Sequence, residues 1–189
     1  QDIATAIRFA PSHLSLYHLT MEPNTVFAKY PPSVPDDDAS AAMQDMLTEL
    51  TAAAGYRHYE VSAFAQAGRQ ARHNQNYWEF GDYLGIGAGA HSKLSFPHRV
   101  VRQARYKQPA AYMQHAAAGN AVAEEAEITR DELGFEFMLN ASRLTEGFDV
   151  RLFNERTGLG LNGIEQGLNR AESKGLIERD HKRIRPTAL

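Results

Sequence analysis

The chain has 189 residues, a formal net charge of -3, and 43% hydrophobic against 23% charged residues, proportions that exclude wholesale disorder and collagen-like structure. No apolar run approaches the ~20 residues needed to cross a bilayer. The zero cysteine count excludes disulfides, a thiol nucleophile, thiolate zinc sites and a cysteine-ligated iron–sulfur cluster within this chain, and a cytoplasmic location is the simplest expectation. The small net charge hides a segregation: residues 1–64 sum to -5, 65–108 to +5, 109–128 to -3 and 129–189 to 0. The middle segment is therefore where an anionic ligand is sought, a solvated basic face being the other reading.

Ile3, Ala6, Ile7 and Ala10 stand at helical spacing, as at the end of an amphipathic helix, and the chain is expected to begin inside a longer protein. Pro11 and Ser12 break that helix, and residues 13–20 (HLSLYHLT) read as a strand. Glu22-Pro23-Asn24-Thr25 says turn, within a Pro-rich loop. Asp36, Asp37 and Asp38 supply an N-cap and first-turn carboxylates to a helix whose apolar face is Ala42, Met43, Met46, Leu47, Leu50, Ala53 and Ala54, with Gly55 as its stop. Tyr56 to Ala65 reads as a second strand, so 13–65 is strand, helix, strand, with a connection long enough for a parallel crossover. Residues 66–76 read as a loop, and Tyr83 to Leu94 as a strand of small residues on which Arg99 to Gln103 pairs back. From 109 the pattern turns helical. A helix at 109–118 is followed by an acidic linker, then by helices capped by Thr129, Asp149 and Asn162. A hairpin around Asp180-His181-Lys182 closes the pattern. Three helices and a hairpin predict a winged-helix-like unit, so the expected domains are 1–108 and 109–189.

Four segments carry residues suited to chemistry. Arg72-His73-Asn74-Gln75-Asn76-Tyr77-Trp78 holds the only Trp, a Tyr beside it and a His in the basic segment. Imidazole ligates heme iron, aromatic rings stack on porphyrin, and Arg pairs with propionates; equally, a loop His is ordinarily solvated and a Tyr-Trp pair ordinarily core. Gly85-Ile86-Gly87-Ala88-Gly89-Ala90-His91 lacks the dinucleotide-binding spacing, and its glycines permit either close approach of a ligand or tight packing. Period two puts Glu60 and Ser62 on one strand face and Tyr59 and Val61 on the other, so the polar pair faces a ligand site or serves as structural acceptors. The C-terminal unit has neutral charge, which argues against DNA binding.

Taken in order, HLSLYHLTMEPNT, the PDDD-capped helix, GYRHYEVSAFA, RHNQNYW and GDYLGIGAGAHS resemble the oxygen-independent coproporphyrinogen III oxidase-like radical SAM family, and within it the heme chaperone branch. The resemblance implies an α/β fold: the last strands of a partial (β/α) barrel, followed by a small helical domain, together the C-terminal half of a family member. It implies heme held by His73, Asn74, Tyr77 and Trp78, with His73 on the iron. It places Thr20, Gly87, Gly89 and His91 near S-adenosylmethionine, and Glu60 and Ser62 toward the barrel interior. S-adenosylmethionine and a [4Fe–4S] cluster on CxxxCxxC cysteines are implied for the full-length parent only, so this chain alone is expected to be inactive as an enzyme. The implied partners are heme and apo-hemoproteins of the respiratory chain, with a homodimer possible and no DNA. Two other readings stand beside it: a true oxidase that decarboxylates propionates, and a winged-helix adaptor without a small ligand.

Overall fold

The computed structural model describes residues 1–187 in two compact units that divide at Ala71 and Arg72. Residues 188 and 189, the end of the expected C-terminal domain, lie outside the described residues.

In the first unit, α1 (Asp2–Arg8) buries Ile3, with Ala6 and Ile7 packed beside it, and Ala10 turns the chain at φ 47°. Strand β1 (His13–Ser15) is shorter than the eight residues expected. Leu14 is buried, whereas Tyr17 and Leu19 lie open to solvent, so nothing rewards extending the strand. The Pro-rich segment contains a one-turn helix, α2 (Val26–Lys29), whose Ala28 N–H donates to the Thr25 hydroxyl. Helix α3 (Asp37–Ala53) starts as expected: the Asp36 carboxylate accepts from the Ala39 N–H at 2.8 Å, and Gly55 follows its end at φ 85°. Only part of its apolar face is covered. Leu47 and Ala54 pack with Ile3, Leu14, Tyr56 and Phe64, while Met43, Met46 and Leu50 are exposed.

The expected single strand 56–65 is two strands, β2 (Arg57–Glu60) and β3 (Ala63–Ala65), joined by a turn at Val61 and Ser62. The sheet order is β1-β3-β2, with β3 antiparallel to both neighbours. The two strands on either side of α3 do run in the same direction, but β3 lies between them, so no parallel hydrogen-bonded pair forms. The period-two argument fails at the turn. Tyr59 and Glu60 are both buried, and Val61 is 51% exposed instead of packing under a helix.

The second unit opens with α4 (Arg72–Trp78), where a loop was expected. Strands β4 (His91–Phe96) and β5 (Arg99–Arg105) form the expected hairpin, but β4 begins only at His91, and Gly85 to Ala90 is loop. Helix α5 (Pro109–Ala117) is followed by β6 (Val122–Ile128), which the sequence reads as an acidic linker. This strand pairs antiparallel with β5, completing the sheet β4-β5-β6. The acidic strand lies beside the basic one: Glu125 accepts from Gln103 at 2.7 Å and lies 3.9 Å from Arg99, while Val100 and Ile128, opposite each other, are both buried. The boundary expected at 108 falls between these two paired strands.

The remainder comprises α6 (Arg130–Ala141), β7 (Phe148–Asp149), α7 (Val150–Thr157), α8 (Glu165–Ser173), β8 (Ile177–Arg179) and β9 (Arg183–Pro186). Thr129 and Glu132 close a capping box on α6, and Asp149 caps α7. Asn162 does not cap α8; it lies in a 3-10 turn, and the helix starts at Glu165. The hairpin expected around 180–182 is β8–β9, and β7 adds to it in the order β7-β9-β8. Phe80, Leu133, Phe137, Phe148, Phe153, Leu168 and Ile184 meet in one core. Among the described residues no helix is long and apolar enough to cross a membrane.

Candidate functional site

Helix α4 gathers the HNQNYW residues on one short element. A spacing of four puts His73 and Tyr77 on the same face, with ring centroids 6.3 Å apart. His73 is exposed; Asn74, Tyr77 and Trp78 are half-buried. Tyr77 meets the Tyr83 ring edge-on at 4.7 Å, and the Arg143 guanidinium lies 4.2 Å from the Trp78 ring centroid. The Trp78 Nε1–H is shielded from solvent and finds no hydrogen-bond partner among the described residues.

What fixes this helix is the turn after it. Phe80 sits at φ 57°, a left-handed conformation that costs a residue with a Cβ ~1–2 kcal/mol. Its ring is buried against Phe137 at 5.7 Å. Gly81 is required by space, since a Cβ there would come 2.0 Å from the Asn76 side chain, whose Nδ2 donates to the Asp82 carbonyl. Lys93 holds the turn from β4. Only 2% exposed, its ammonium donates to the Phe80 carbonyl at 2.9 Å, the Asp82 carboxylate at 2.9 Å and the Ser95 hydroxyl at 3.1 Å, and lies 4.1 Å from the Phe80 ring centroid. Burial pushes the Lys93 ammonium below its ordinary pKa against the opposing pull of Asp82. Burial pushes the Asp82 carboxyl up, but hydrogen bonds from Lys93 and Ser95 outweigh it and hold the group below the carboxylate range.

Behind α4 lies a cavity of about 250 Å³ bordered by Tyr77, Trp78, Tyr83, Lys93, Arg102 and Asn140. Its cations are already engaged: Arg102 is ion-paired with Glu136 and donates to the Tyr83 hydroxyl at 3.3 Å. His73 does not line it. Lys93, Asp82 and Arg102 are the site residues that sequence reasoning missed. The available signal was a lysine inside an alternating strand, facing an aspartate next to an aromatic-rich motif.

The Gly85–Gly89 run wraps against β5 and α5. Gly85 N–H donates to the Ser92 hydroxyl, Gly87 N–H to the Tyr112 hydroxyl, and Arg105 Nε to the Gly85 carbonyl. A Cβ at Gly85 would come 2.1 Å from the His91 carbonyl oxygen, so close chain packing accounts for that glycine. Gly87 and Gly89 adopt φ 108° and 71°. His91 is exposed at the start of β4.

Thr20, Glu60 and Ser62 lie in the first unit. Thr20 is exposed, Glu60 is 1% exposed, and Ser62 stands in the β2–β3 turn, its carbonyl accepting from Leu16 N–H at 2.9 Å. Of the residues expected near S-adenosylmethionine, Gly87, Gly89 and His91 share one loop and strand start in the second unit, and Thr20 belongs to the first. The donor set does not fit a [4Fe–4S] cluster: the chain has no cysteine, and the described residues contain no group of three or more His, Asp or Glu placed to hold a metal ion.

The HemN C-terminal domain family matches residues 128–189. The heme chaperone HemW of Haemophilus influenzae is 41% identical over 177 residues, and that of Escherichia coli likewise 41%, each alignment covering 93% of this chain. HemW of Bacillus subtilis is 32% identical over 97% of the chain. The chain spans about half the length of these curated relatives, 45%, 46% and 49% respectively. The solved structure of coproporphyrinogen III oxidase (HemN) from Escherichia coli, a radical SAM enzyme, superposes with a TM-score of 0.72 at 17% identity, over 98% of this chain and 46% of that one, which establishes a shared α/β fold. The resemblance read from the HNQNYW and GDYLGIGAGAHS motifs is borne out: the chain is similar to radical SAM heme chaperones over nearly its whole length.

Proposed function

We propose that this chain, related to HemW along its length and carrying a HemN C-terminal domain, is the heme-handling half of a radical SAM heme chaperone. One observation carries the reading: His73 is held exposed on a helix whose Tyr77 and Trp78 are half-buried against Tyr83 and Arg143. An imidazole presented to solvent from a fixed scaffold suits a protein that takes up heme and gives it away, since a deeply caged ligand would slow release. Heme is cargo here. Asn74 lies half-buried on the same helix, and Tyr77 supplies an aromatic edge beside the imidazole.

The longer parent would bring S-adenosylmethionine and a [4Fe–4S] cluster on its own cysteines, with Thr20, Gly87, Gly89 and His91 as the contributions of this chain near the former. In this reading the first unit is the closing part of a partial barrel, with Glu60 and Ser62 toward its interior. The three helices and the hairpin after Thr129 are then a winged-helix-like unit that serves protein contacts, not DNA. The recipients would be apo-hemoproteins of the respiratory chain, in the cytoplasm, and a homodimer is compatible with the exposed apolar side chains of the first unit. A true oxidase is the less supported alternative, because the relatives matched along the chain carry the chaperone name.

The test is a hemin titration of the chain followed at the Soret band. His73→Ala is expected to weaken binding about tenfold and shift the band, with an unchanged circular dichroism spectrum, because the exposed ring packs against little. Unchanged affinity and spectrum would make the motif purely structural.

A further inference from the structure

A second cavity lies at the tip of the β4–β5 hairpin, and its chemistry differs from the one behind α4. It measures about 590 Å³, within the range of small-molecule sites. Its floor is apolar, built from Val100, Ile128 and Leu133, each under a tenth exposed. Its rim carries His98 from the hairpin turn, Arg130 from the first turn of α6 and Arg156 from the last turn of α7. None of these three side chains forms a hydrogen bond or ion pair with another described residue, whereas the cations beside α4 are already held by Glu136 and Asp82. Arg99 also borders the cavity but lies 3.9 Å from Glu125. Two carboxylates, Glu127 and Glu155, share the wall with the three guanidiniums, so positive charge is in excess by one.

A ligand that fits must have a flat or bulky apolar body and an anionic edge, because an uncharged apolar molecule would leave two guanidiniums unpaired and a small anion would leave the floor wet. We propose that this cavity is a tetrapyrrole site, in which Arg130 and Arg156 take the propionates, Val100, Ile128 and Leu133 take the macrocycle, and His98 is an axial ligand when iron is present. The proposal rests on the heme reading above and adds a second seat for the same cargo, apart from His73.

The experiment is a titration of the full 189-residue chain with hemin and, separately, with iron-free protoporphyrin. The variants are Arg130→Gln/Arg156→Gln, His98→Ala, His73→Ala and, as a charge-matched control, Arg8→Gln/Arg57→Gln, each checked for folding by circular dichroism. The double arginine variant is expected to weaken both ligands about tenfold, and the control neither. His98→Ala is expected to weaken hemin and alter its Soret band while leaving protoporphyrin unchanged; its exposed position at a hairpin tip keeps it informative even if the double variant misfolds. If the parent chain binds hemin and neither cavity variant changes that binding, the cavity assignment is overturned and the heme reading stands. If the parent chain binds no hemin, both are overturned.

Discussion

The two units bury their apolar residues to different degrees. In the second, seven large apolar side chains from three helices, two strands and a turn converge, and Phe137, fully buried, touches the rings of Phe80, Phe148 and Phe153 at centroid distances of 5.1–5.7 Å. In the first, the buried clusters are Ile3, Leu14, Tyr56 and Phe64, and the smaller Tyr59, Ala63 and Ala65, while Phe9, Tyr17, Val26, Phe27, Tyr30, Met43 and Met46 stand exposed. Hydrophobic burial is the main favourable term in folding, so the second unit should hold most of the stability and the first should open more readily. The difference also separates two roles. The motif helix stands on the well-packed unit, where a rigid scaffold can present a side chain, and the poorly covered unit offers surface.

The largest effect expected is from Phe137→Ala. Removing a fully buried ring that joins three others costs ~3–5 kcal/mol, enough to unfold much of a marginal domain. Hydrogen exchange should show protection lost across 130–186 and little changed in 1–71. A variant that destabilised both units equally would break the comparison, because it would mean they fold as one.

A smaller effect follows from Asp82→Ala. It leaves the Lys93 ammonium buried with only the Phe80 carbonyl and the Ser95 hydroxyl, and the positive φ of Phe80 loses part of its restraint. Breaking a buried pair costs ~3–5 kcal/mol, and the 44% exposure of the Asp82 side chain reduces the expectation to ~2 kcal/mol. Replacing both partners, Asp82→Ala with Lys93→Met, should recover part of the loss, since no unpaired charge remains. The readout is denaturant midpoint together with tryptophan fluorescence, Trp78 being the only Trp. A loss of stability without a fluorescence change would show that the turn does not position the motif helix.

How much was legible in the sequence follows the same division. The caps at Asp36, Thr129 and Asp149 and the hairpins at 96–99 and 180–182 were read correctly, because each is set by local backbone chemistry that nearby residues declare. What failed depends on contacts distant in the chain. The linker before Thr129 is a strand because it pairs along its length with β5, some twenty residues earlier. HNQNYW is helical because the turn after it is tied to Lys93, which local propensity does not reveal. The expected strand 56–65 broke because a two-residue turn without Gly, Asn or Pro carries no signature. At the candidate site, the residue types on α4 were legible, whereas the engaged cations behind it and the unengaged ones at the hairpin tip were visible only in three dimensions.

The smallest effect expected is acid sensitivity, and it too distinguishes the units. Four carboxyls held below their ordinary range, Asp82, Glu132, Asp149 and Asp180, lie in the second unit. Asp149 is lowest: its hydrogen bonds with the Arg151 side chain and backbone N–H lower it from 3.8 to about 2. A carboxyl depressed in the folded state binds its proton later than in the unfolded chain. Its contribution is therefore complete above the ordinary carboxyl value and is lost as pH falls through the folded value. Acid unfolding of the second unit should steepen between about pH 4 and pH 2, and Asp149→Asn should flatten that slope while lowering stability slightly at neutral pH. Glu132 and Asp180 are exposed and Asp149 is half-buried, so high salt should weaken the effect by screening the Asp149–Arg151 pair, although the backbone hydrogen bond at the N-cap of α7 survives it. A melting temperature measured across that window, in low and high salt, checks the assignment. A slope identical in Asp149→Asn would place the acid-sensitive groups elsewhere.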